Sequence, residues 1–86
     1  MDKVKRLIAA GATISGAIKE ALGTPVIGFA DKHGLPRTTA SEVLRGSRAP
    51  TAGIVAALIA ELGGTEAEWR DLLWRAGKPA AGASAA

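Results

Sequence analysis

Apolar residues recur along this chain at the three- and four-residue spacing of amphipathic helices, as far as position 76. No segment alternates apolar and polar residues for long enough to indicate a β-strand. Glycine or proline separates each periodic segment from the next, as is typical of short helices joined by tight turns. The pattern predicts helices over residues 2–10, 13–22, 25–33, 36–45, 51–62 and 65–76.

The residue types at the segment boundaries predict several helix ends. Thr24 is a favourable N-cap and Pro25 suits the first helical position, so a helix is expected to begin there. Thr65 and Glu68 form the S/T-x-x-E pattern of a capping box at the start of the last helix. Gly46 directly follows the segment 36–45 and is expected to end it.

The length of 86 residues corresponds to one small domain, which buries only about 60% of its unfolded surface. We expect residues 13–77 to form that domain as a bundle of about five short helices. Residues 1–12 begin with a basic stretch and are expected to form either an N-terminal helix or a basic arm. The alanine-rich residues 78–86 have too little bulk to bury, so we expect a disordered tail there.

Residues 25–45 meet the requirements of two helices that cross at a tight turn. Such a crossing needs a small residue in the first helix, a glycine four residues later and a hydrophobic residue in the turn. The second helix needs a slim apolar inner face. The residues that match these requirements are Ala30, Gly34, Leu35, Ala40 and Val43. The spacing therefore predicts a helix-turn-helix, with its first helix over 25–33 and its second over 36–45.

Charge is unevenly distributed along the chain, whose formal net charge is +3 at pH 7. Between residues 32 and 48 there are four basic residues and one acidic residue, whereas residues 61–71 hold four acidic residues and one basic residue. A chain polarised in this way is expected to have an oriented electrostatic surface, with its basic side facing an anionic partner.

Composition argues against several classes of function. The absence of cysteine excludes disulfide scaffolds and thiolate metal sites, and makes a cytoplasmic location the default expectation. A single histidine cannot complete a metal site or a catalytic base–orienter pair, so we expect neither a cofactor nor an enzyme. Three aromatic residues are too few for the stacking platforms of single-strand binders. No apolar stretch approaches the roughly 20 residues that a bilayer requires.

The stretch PVIGFADKHGLPRTTASEVLRGSRAP, residues 25–50, resembles the core of the XRE family, the Cro-like and lambda-repressor-like helix-turn-helix domains. That family has a helix ending in Leu-Ala, a glycine turn followed by a hydrophobic residue, a polar helix start, and a basic loop closing on proline. The counterparts in this chain are Phe29-Ala30, Gly34-Leu35, residues 36–41, Gly46, Arg48 and Pro50. The downstream APTAGIVAALIAELGGTEAEWRDLL is similar to the last two helices of many bacterial members, so the likeness covers roughly residues 14–76.

The resemblance implies an all-α, lambda-repressor-like helix-turn-helix bundle that docks on duplex DNA, with the second helix of the motif as the recognition helix. Two residues depart from the family pattern. Pro36 stands where a Ser or Thr usually caps the recognition helix, and proline has no hydroxyl to offer. Val26 stands where many members place a Gln that touches the DNA backbone.

Position along the recognition helix assigns an expected role to each polar residue. Residues near the start of such a helix reach base edges, so base contacts are expected from Arg37, Thr38, Ser41 and Glu42. Arg37 is the expected guanine reader, because its fork matches guanine O6 and N7. Glu42 is expected either to accept from cytosine N4 or to orient a neighbouring arginine.

Contacts to the DNA backbone are expected near the end of the recognition helix and in the loop after it, where Arg45 and Arg48 stand. Lys32, at the end of the first helix, is a further candidate for a phosphate contact. Thr39 has two possible orientations, toward the first helix or toward a phosphate.

The two tryptophans, Trp69 and Trp74, are five positions apart and therefore lie on different faces of the last helix. Trp69 shares its face with Leu72 and Leu73 and is expected in the core. Trp74 is expected to be either a partly exposed anchor of its own domain or a contact in a homodimer interface.

These features predict a sequence-specific regulator of transcription, a Cro-like repressor or autoregulator of a phage or mobile element. It would act in the bacterial cytoplasm as a homodimer on a pseudo-palindromic operator, with half-sites about 10–10.5 bp apart. The alternative is an antitoxin or another protein-interaction module on the same fold, which would require a protein partner.

Overall fold

The structure is a computed structural model that describes residues 1–76, and it contains six α-helices in that part of the chain. In order they are α1 (Asp2–Ala9), α2 (Ile14–Leu22), α3 (Val26–Lys32), α4 (Arg37–Arg45), α5 (Ala52–Leu62) and α6 (Glu66–Ala76). Residues 1–76 contain no strand, so the predicted all-α class is confirmed. The disordered tail predicted for residues 78–86 lies outside the described residues.

The helix starts follow the predicted capping chemistry at two threonines. The Thr65 hydroxyl accepts from the Glu68 backbone N–H at 3.2 Å, and the Glu68 carboxylate accepts from the Thr65 N–H at 3.1 Å, which confirms the capping box. The Thr51 hydroxyl accepts from the Ile54 N–H at 3.3 Å at the start of α5. Each bond satisfies a backbone donor that has no partner inside its helix.

Both prolines of the predicted helix-turn-helix lie one position outside the helices they were expected to open. Pro25, with φ −60° and ψ 152°, is the N-cap of α3, so the prediction of Thr24 as the N-cap is wrong. Pro36, with φ −61° and ψ 129°, is the N-cap of α4, which begins at Arg37. The φ that the proline ring imposes is compatible both with an N-cap and with a first helical residue. The two positions differ in ψ, which the ring does not fix.

Every helix contributes side chains to one hydrophobic core, as the periodic pattern predicted. The buried residues are Val4, Ala17, Ile18, Phe29, Ala30, Ala40, Val43, Leu44, Ile54, Val55, Ala57, Leu58, Trp69, Leu72 and Leu73. Ala40 and Val43, predicted for the inner face of α4, are therefore buried together with Leu44, and the other positions of α4 are half-buried or exposed. No polar side chain is buried among the described residues.

Trp69 is fully buried and is held by the turn that precedes its helix. Its indole Nε1–H donates to the backbone carbonyl of Gly63 at 2.7 Å. Gly64 has φ +89°, and a Cβ on it would lie 3.1 Å from that Nε1. Only glycine fits both the backbone conformation and the close approach at this position.

Residues 2–9 form a helix that is docked on the rest of the domain. Val4 is fully buried, and the N-terminal ammonium of Met1 donates to the carbonyl of Leu62. Lys5 Nζ lies 2.7 Å from Glu68 Oε2, so α1 is also tied to α6. The hydrogen bond from Lys5 is the largest cause of a lowered pKa at Glu68.

Candidate nucleic-acid interface

Helices α3 and α4 pack against each other in the region of the predicted helix-turn-helix. The small residues expected at their crossing, Ala30 and Ala40, are both fully buried. Phe29 and Val43 are buried beside them in the same core. The inner face of α4 therefore has the slim apolar character that the spacing predicted, and α3 has its predicted small residue at the crossing.

Gly34 forms the turn between these helices in the left-handed conformation, with φ +65°. Its N–H donates to the Asp31 carbonyl at 3.2 Å, and the Leu35 N–H donates to the Ala30 carbonyl at 2.8 Å. This pair of bonds is the Schellman motif, which ends α3 and reverses the chain with little freedom. The start of α4 is therefore rigidly placed relative to α3.

Leu35 fills the angle behind the turn and is half-buried against the core. A Cβ placed on Gly53 would lie 3.3 Å from Leu35 Cδ2, so the first turn of α5 closes tightly over the leucine. Sequence reasoning did not identify Gly53. The signal was a glycine in the first turn of an otherwise strongly apolar helix, a position where glycine is unfavourable without a packing reason.

The other end of α4 closes with a second motif of the same kind. Gly46 has φ +83°, and the Ser47 N–H donates to the Glu42 carbonyl at 2.9 Å. The Ser47 hydroxyl donates to the same carbonyl at 3.2 Å. The loop that carries Arg48 is therefore anchored to the last turn of α4.

The predicted DNA-contacting residues differ in how far they reach into solvent. Exposed residues are Lys32, Arg37, Thr38, Arg45 and Arg48, whereas Thr39, Ser41 and Glu42 are half-buried. The exposed group spans the first turn of α4, its last residue and the following loop, with Lys32 at the end of α3. These five residues, with the exposed Asp31 directly before Lys32, define the surface called the exposed basic face below.

Arg37 is bound by a carboxylate that sequence reasoning did not single out. Its Nε lies 2.9 Å from Asp31 Oδ1 and its Nη2 lies 2.9 Å from Asp31 Oδ2. The pair bridges the turn, from the last turn of α3 to the first residue of α4. The hydrogen bonds that Arg37 donates to Asp31, followed by the negative charge of that carboxylate, raise the pKa of Arg37 above its already high value.

Glu42 binds the arginine of the following loop. Arg48 Nε donates to Glu42 Oε1 at 3.0 Å, and the Glu42 side chain is only 28% exposed. Such a contact is what the expectation that Glu42 orients a neighbouring arginine requires. Its other expected role, a contact with cytosine, stays a prediction.

Glu61 in α5, which belongs to the acidic segment 61–71, forms ion pairs with two residues at the end of α3. Its Oε2 lies 2.7 Å from Lys32 Nζ and 2.8 Å from His33 Nε2. The His33 ring also packs on Phe29, with 5.1 Å between ring centroids. The hydrogen bond from Lys32, followed by the one from His33, lowers the pKa of Glu61 below its usual value.

We expect Glu61→Gln to lower the thermal midpoint at neutral pH and to have little effect in acid. The folded-state pKa of Glu61 is lower than its unfolded value near 4.5. Stabilisation from the carboxylate is therefore present above that value and is lost as pH falls through the lower folded-state pKa. Melting curves of both proteins from neutral pH down to below the ordinary carboxyl range test this. A midpoint difference that is independent of pH would contradict it.

Arg45 differs from the other three basic residues between positions 32 and 48. Lys32, Arg37 and Arg48 each contact a carboxylate, whereas no carboxylate of residues 1–76 lies within ion-pair distance of Arg45. The pairs of Lys32 and Arg48 are each held by one bond, and exposed pairs of that kind are weak, typically about 0–1 kcal/mol. A polyanion can therefore compete for these two cations, and Arg45 is available to it without that competition.

Trp74 lies beside the loop that follows α4 and is 57% exposed. It lines a shallow cleft of about 290 Å³ together with Leu73 and residues 46–50. Its separation from the buried Trp69 is as predicted from their spacing. The structure thus places the candidate dimer contact next to the loop of Arg48.

Two further observations concern metal ligands and membrane-spanning helices in residues 1–76. No group of three or more His, Cys, Asp or Glu side chains among them is arranged to hold a metal ion. None of the helices in this range is long and apolar enough to cross a membrane. Comparison of the chain with protein-family models, with curated proteins and with solved structures gave no match.

Proposed function

We propose that this protein binds duplex DNA in a sequence-specific manner and regulates transcription. The observation that carries the proposal is the α3–α4 pair itself. Its Schellman turn at Gly34 fixes the start of α4 to a packed scaffold while leaving Arg37 and Thr38 of that start in solvent. A rigid helix with exposed basic and hydroxyl side chains at its N-terminal end is what major-groove readout requires.

In this proposal α4 enters the major groove with its first two turns toward the bases. Arg37 reads a guanine, and Thr38 and Ser41 contact bases beside it. Arg45 and Arg48 neutralise phosphates on either side of the groove, with Lys32 and Thr39 as further backbone contacts. The buried inner stripe of α4 supports this orientation, because it leaves only the polar face free to meet DNA.

A Cro-like repressor or autoregulator of a phage or mobile element is the form of regulator we infer. It would work as a homodimer in the bacterial cytoplasm, with two copies of α4 in successive major grooves about 34–36 Å apart. The exposed Trp74 next to the α4 loop supports an interface at this end of α6.

Selection of bound sequences from a fully randomised duplex pool tests the proposal. We expect enrichment of a two-fold symmetric site whose halves are separated by about one helical turn. Affinity for the enriched site should exceed that for random duplex by a factor on the order of a thousand or more. A protein that binds duplex DNA without enriching any sequence, or does not bind it, would contradict the proposal.

Arg48→Ala is expected to weaken binding to all duplexes by a similar factor. Each phosphate neutralised by a cation adds about 0.9 to the slope of log affinity against log salt concentration. The slope should therefore fall by about one unit, while base preferences stay as in the wild type. Titrations at several salt concentrations measure this, with Arg70→Ala on α6 as the control. An unchanged slope would show that Arg48 does not bind phosphate.

Trp74→Ala is expected to weaken the homodimer by about 2 kcal/mol or more, because exposed tryptophans are common interface anchors. Sedimentation at a series of protein concentrations measures the dimer affinity. Ile27→Ala is the matched control, since Ile27 is a comparably exposed hydrophobic residue on α3. A wild-type protein that is monomeric on DNA and in solution would end this assignment.

A further inference from the structure

The contact between Asp31 and Arg37 has the geometry of a two-bond clamp. Both carboxylate oxygens and two guanidinium nitrogens take part, and each bond is 2.9 Å long. Both side chains remain well exposed, 50% for Asp31 and 62% for Arg37. The clamp therefore lies at the surface of the helix-turn-helix, at the point where α4 begins.

Neither helix gains stability from its own member of this pair. Asp31 lies in the last turn of α3, where the helix dipole disfavours a negative charge, and Arg37 opens α4, where it disfavours a positive charge. Exposed pairs held by one bond are worth only about 0–1 kcal/mol, and two-bond arginine–carboxylate pairs are the exception to that rule. Each charge alone therefore works against its own helix, and the clearest effect of the two-bond contact is to orient the Arg37 guanidinium.

The clamp leaves one edge of the guanidinium open. A guanidinium has five N–H donors, and Asp31 engages the edge formed by Nε and Nη2. The edge formed by Nη1 and Nη2 keeps its donors, and this is a fork that can bind guanine O6 and N7 together. The side chain is thereby held in one orientation before any ligand arrives.

We infer that Asp31 is a positioning residue for guanine readout, which holds the Arg37 fork in its reading orientation. The inference rests on the proposed function. Fixing the arginine before binding removes much of the entropy cost of immobilising a long side chain on the DNA. The Asp31 carboxylate also repels phosphates, so it penalises duplexes that do not offer Arg37 a guanine.

Asp31→Asn is expected to lower the preference for guanine while leaving or raising the affinity for random duplex. These opposite changes distinguish a positioning role from a structural one. Preference for guanine at the Arg37 position should fall about tenfold, within the range that one two-bond base contact provides. Affinity for random duplex should stay the same or rise, since one negative charge leaves the exposed basic face. Loss of a structural brace would instead weaken all duplexes together.

The experiment compares wild type, Asp31→Asn, Arg37→Ala and the double variant on the randomised duplex pool, and on single-base variants of the enriched site. Asp71→Asn is the matched control, because Asp71 forms a similarly exposed pair with Arg75 on α6, with 3.1 Å between Nη2 and Oδ2. Support requires that Asp31→Asn and Arg37→Ala weaken preference at the same base position. It also requires that Asp31→Asn changes no base preference further in the Arg37→Ala background, where removal of the unpaired carboxylate should only raise affinity for all duplexes alike.

Three results would overturn the inference, and they are distinguishable. Unchanged base preference in Asp31→Asn, with an enriched site in the wild type, removes the positioning role and leaves the proposed function intact. A uniform loss of affinity accompanied by a lower thermal midpoint makes the pair a structural brace. Failure of the wild type to enrich any sequence removes the proposed function and the inference with it.

Discussion

Arg37→Ala is expected to abolish the preference for guanine at one position in each half-site, at a cost of about 1–3 kcal/mol for that base. The guanidinium stands at the first residue of α4 and is already directed by Asp31 across the turn. Alanine keeps the helix start and removes the fork, so neighbouring positions of the site should keep their preferences. Competition titrations with single-base variants of the enriched site measure the effect.

Arg37→Ala is also expected to lower the affinity for all duplexes, and this loss has to be separated from the loss of base preference. Without Arg37, the Asp31 carboxylate is left unpaired on the exposed basic face and repels the DNA backbone. Total affinity for every duplex therefore falls together with the base preference. Only the loss of affinity that is specific to one base position measures base readout by Arg37. Arg70→Ala, which breaks an exposed ion pair on α6, gives the loss of affinity expected from removing a surface arginine elsewhere. A loss spread evenly over all positions would show that Arg37 does not read a base.

Trp69→Ala is expected to lower the free energy of unfolding by about 3–5 kcal/mol, as is usual for the truncation of a large buried aromatic residue. Trp69 has no exposed surface, and its indole N–H is the donor for the Gly63 carbonyl. The cavity and the lost bond act at the junction of α5, α6 and the N-terminal residue. Domains of this kind are stable by only about 5–15 kcal/mol, so this variant should approach unfolding at room temperature.

Urea denaturation followed by circular dichroism tests this prediction. Trp69→Phe keeps an aromatic ring in the core and loses the hydrogen bond, worth about 0.5–1.5 kcal/mol, together with part of the indole volume, so its cost should lie between those of the wild type and Trp69→Ala. Trp74→Ala, measured where the protein is monomeric, is the control for replacing an exposed tryptophan, and we expect a change within about 0.5 kcal/mol. Equal effects of the two alanine variants would contradict the assignment of Trp69 to the core.

Local chemistry along the chain determined much of the architecture. The capping box of Thr65 and Glu68, and the glycine turn at Gly34, formed as predicted because each depends on residues at most a few positions apart. The buried stripes followed from helical periodicity alone, as in Ala40, Val43 and Leu44. The start of α3 was misplaced by one residue, because proline is compatible with both neighbouring positions and packing sets its ψ.

The sequence by itself determined an all-α chain, the inner face of each helix and the polar residues available on α4. Only the tertiary structure decided how those polar residues are partnered. Asp31 meets Arg37, and Glu61 meets Lys32 and His33, because the turn and the packing of α5 bring their ends within 3 Å. An ion pair depends on side-chain reach across elements, which carries no periodic signal along the chain. The four basic residues that looked equivalent in sequence are therefore three paired cations and Arg45, for which no carboxylate of residues 1–76 is in reach.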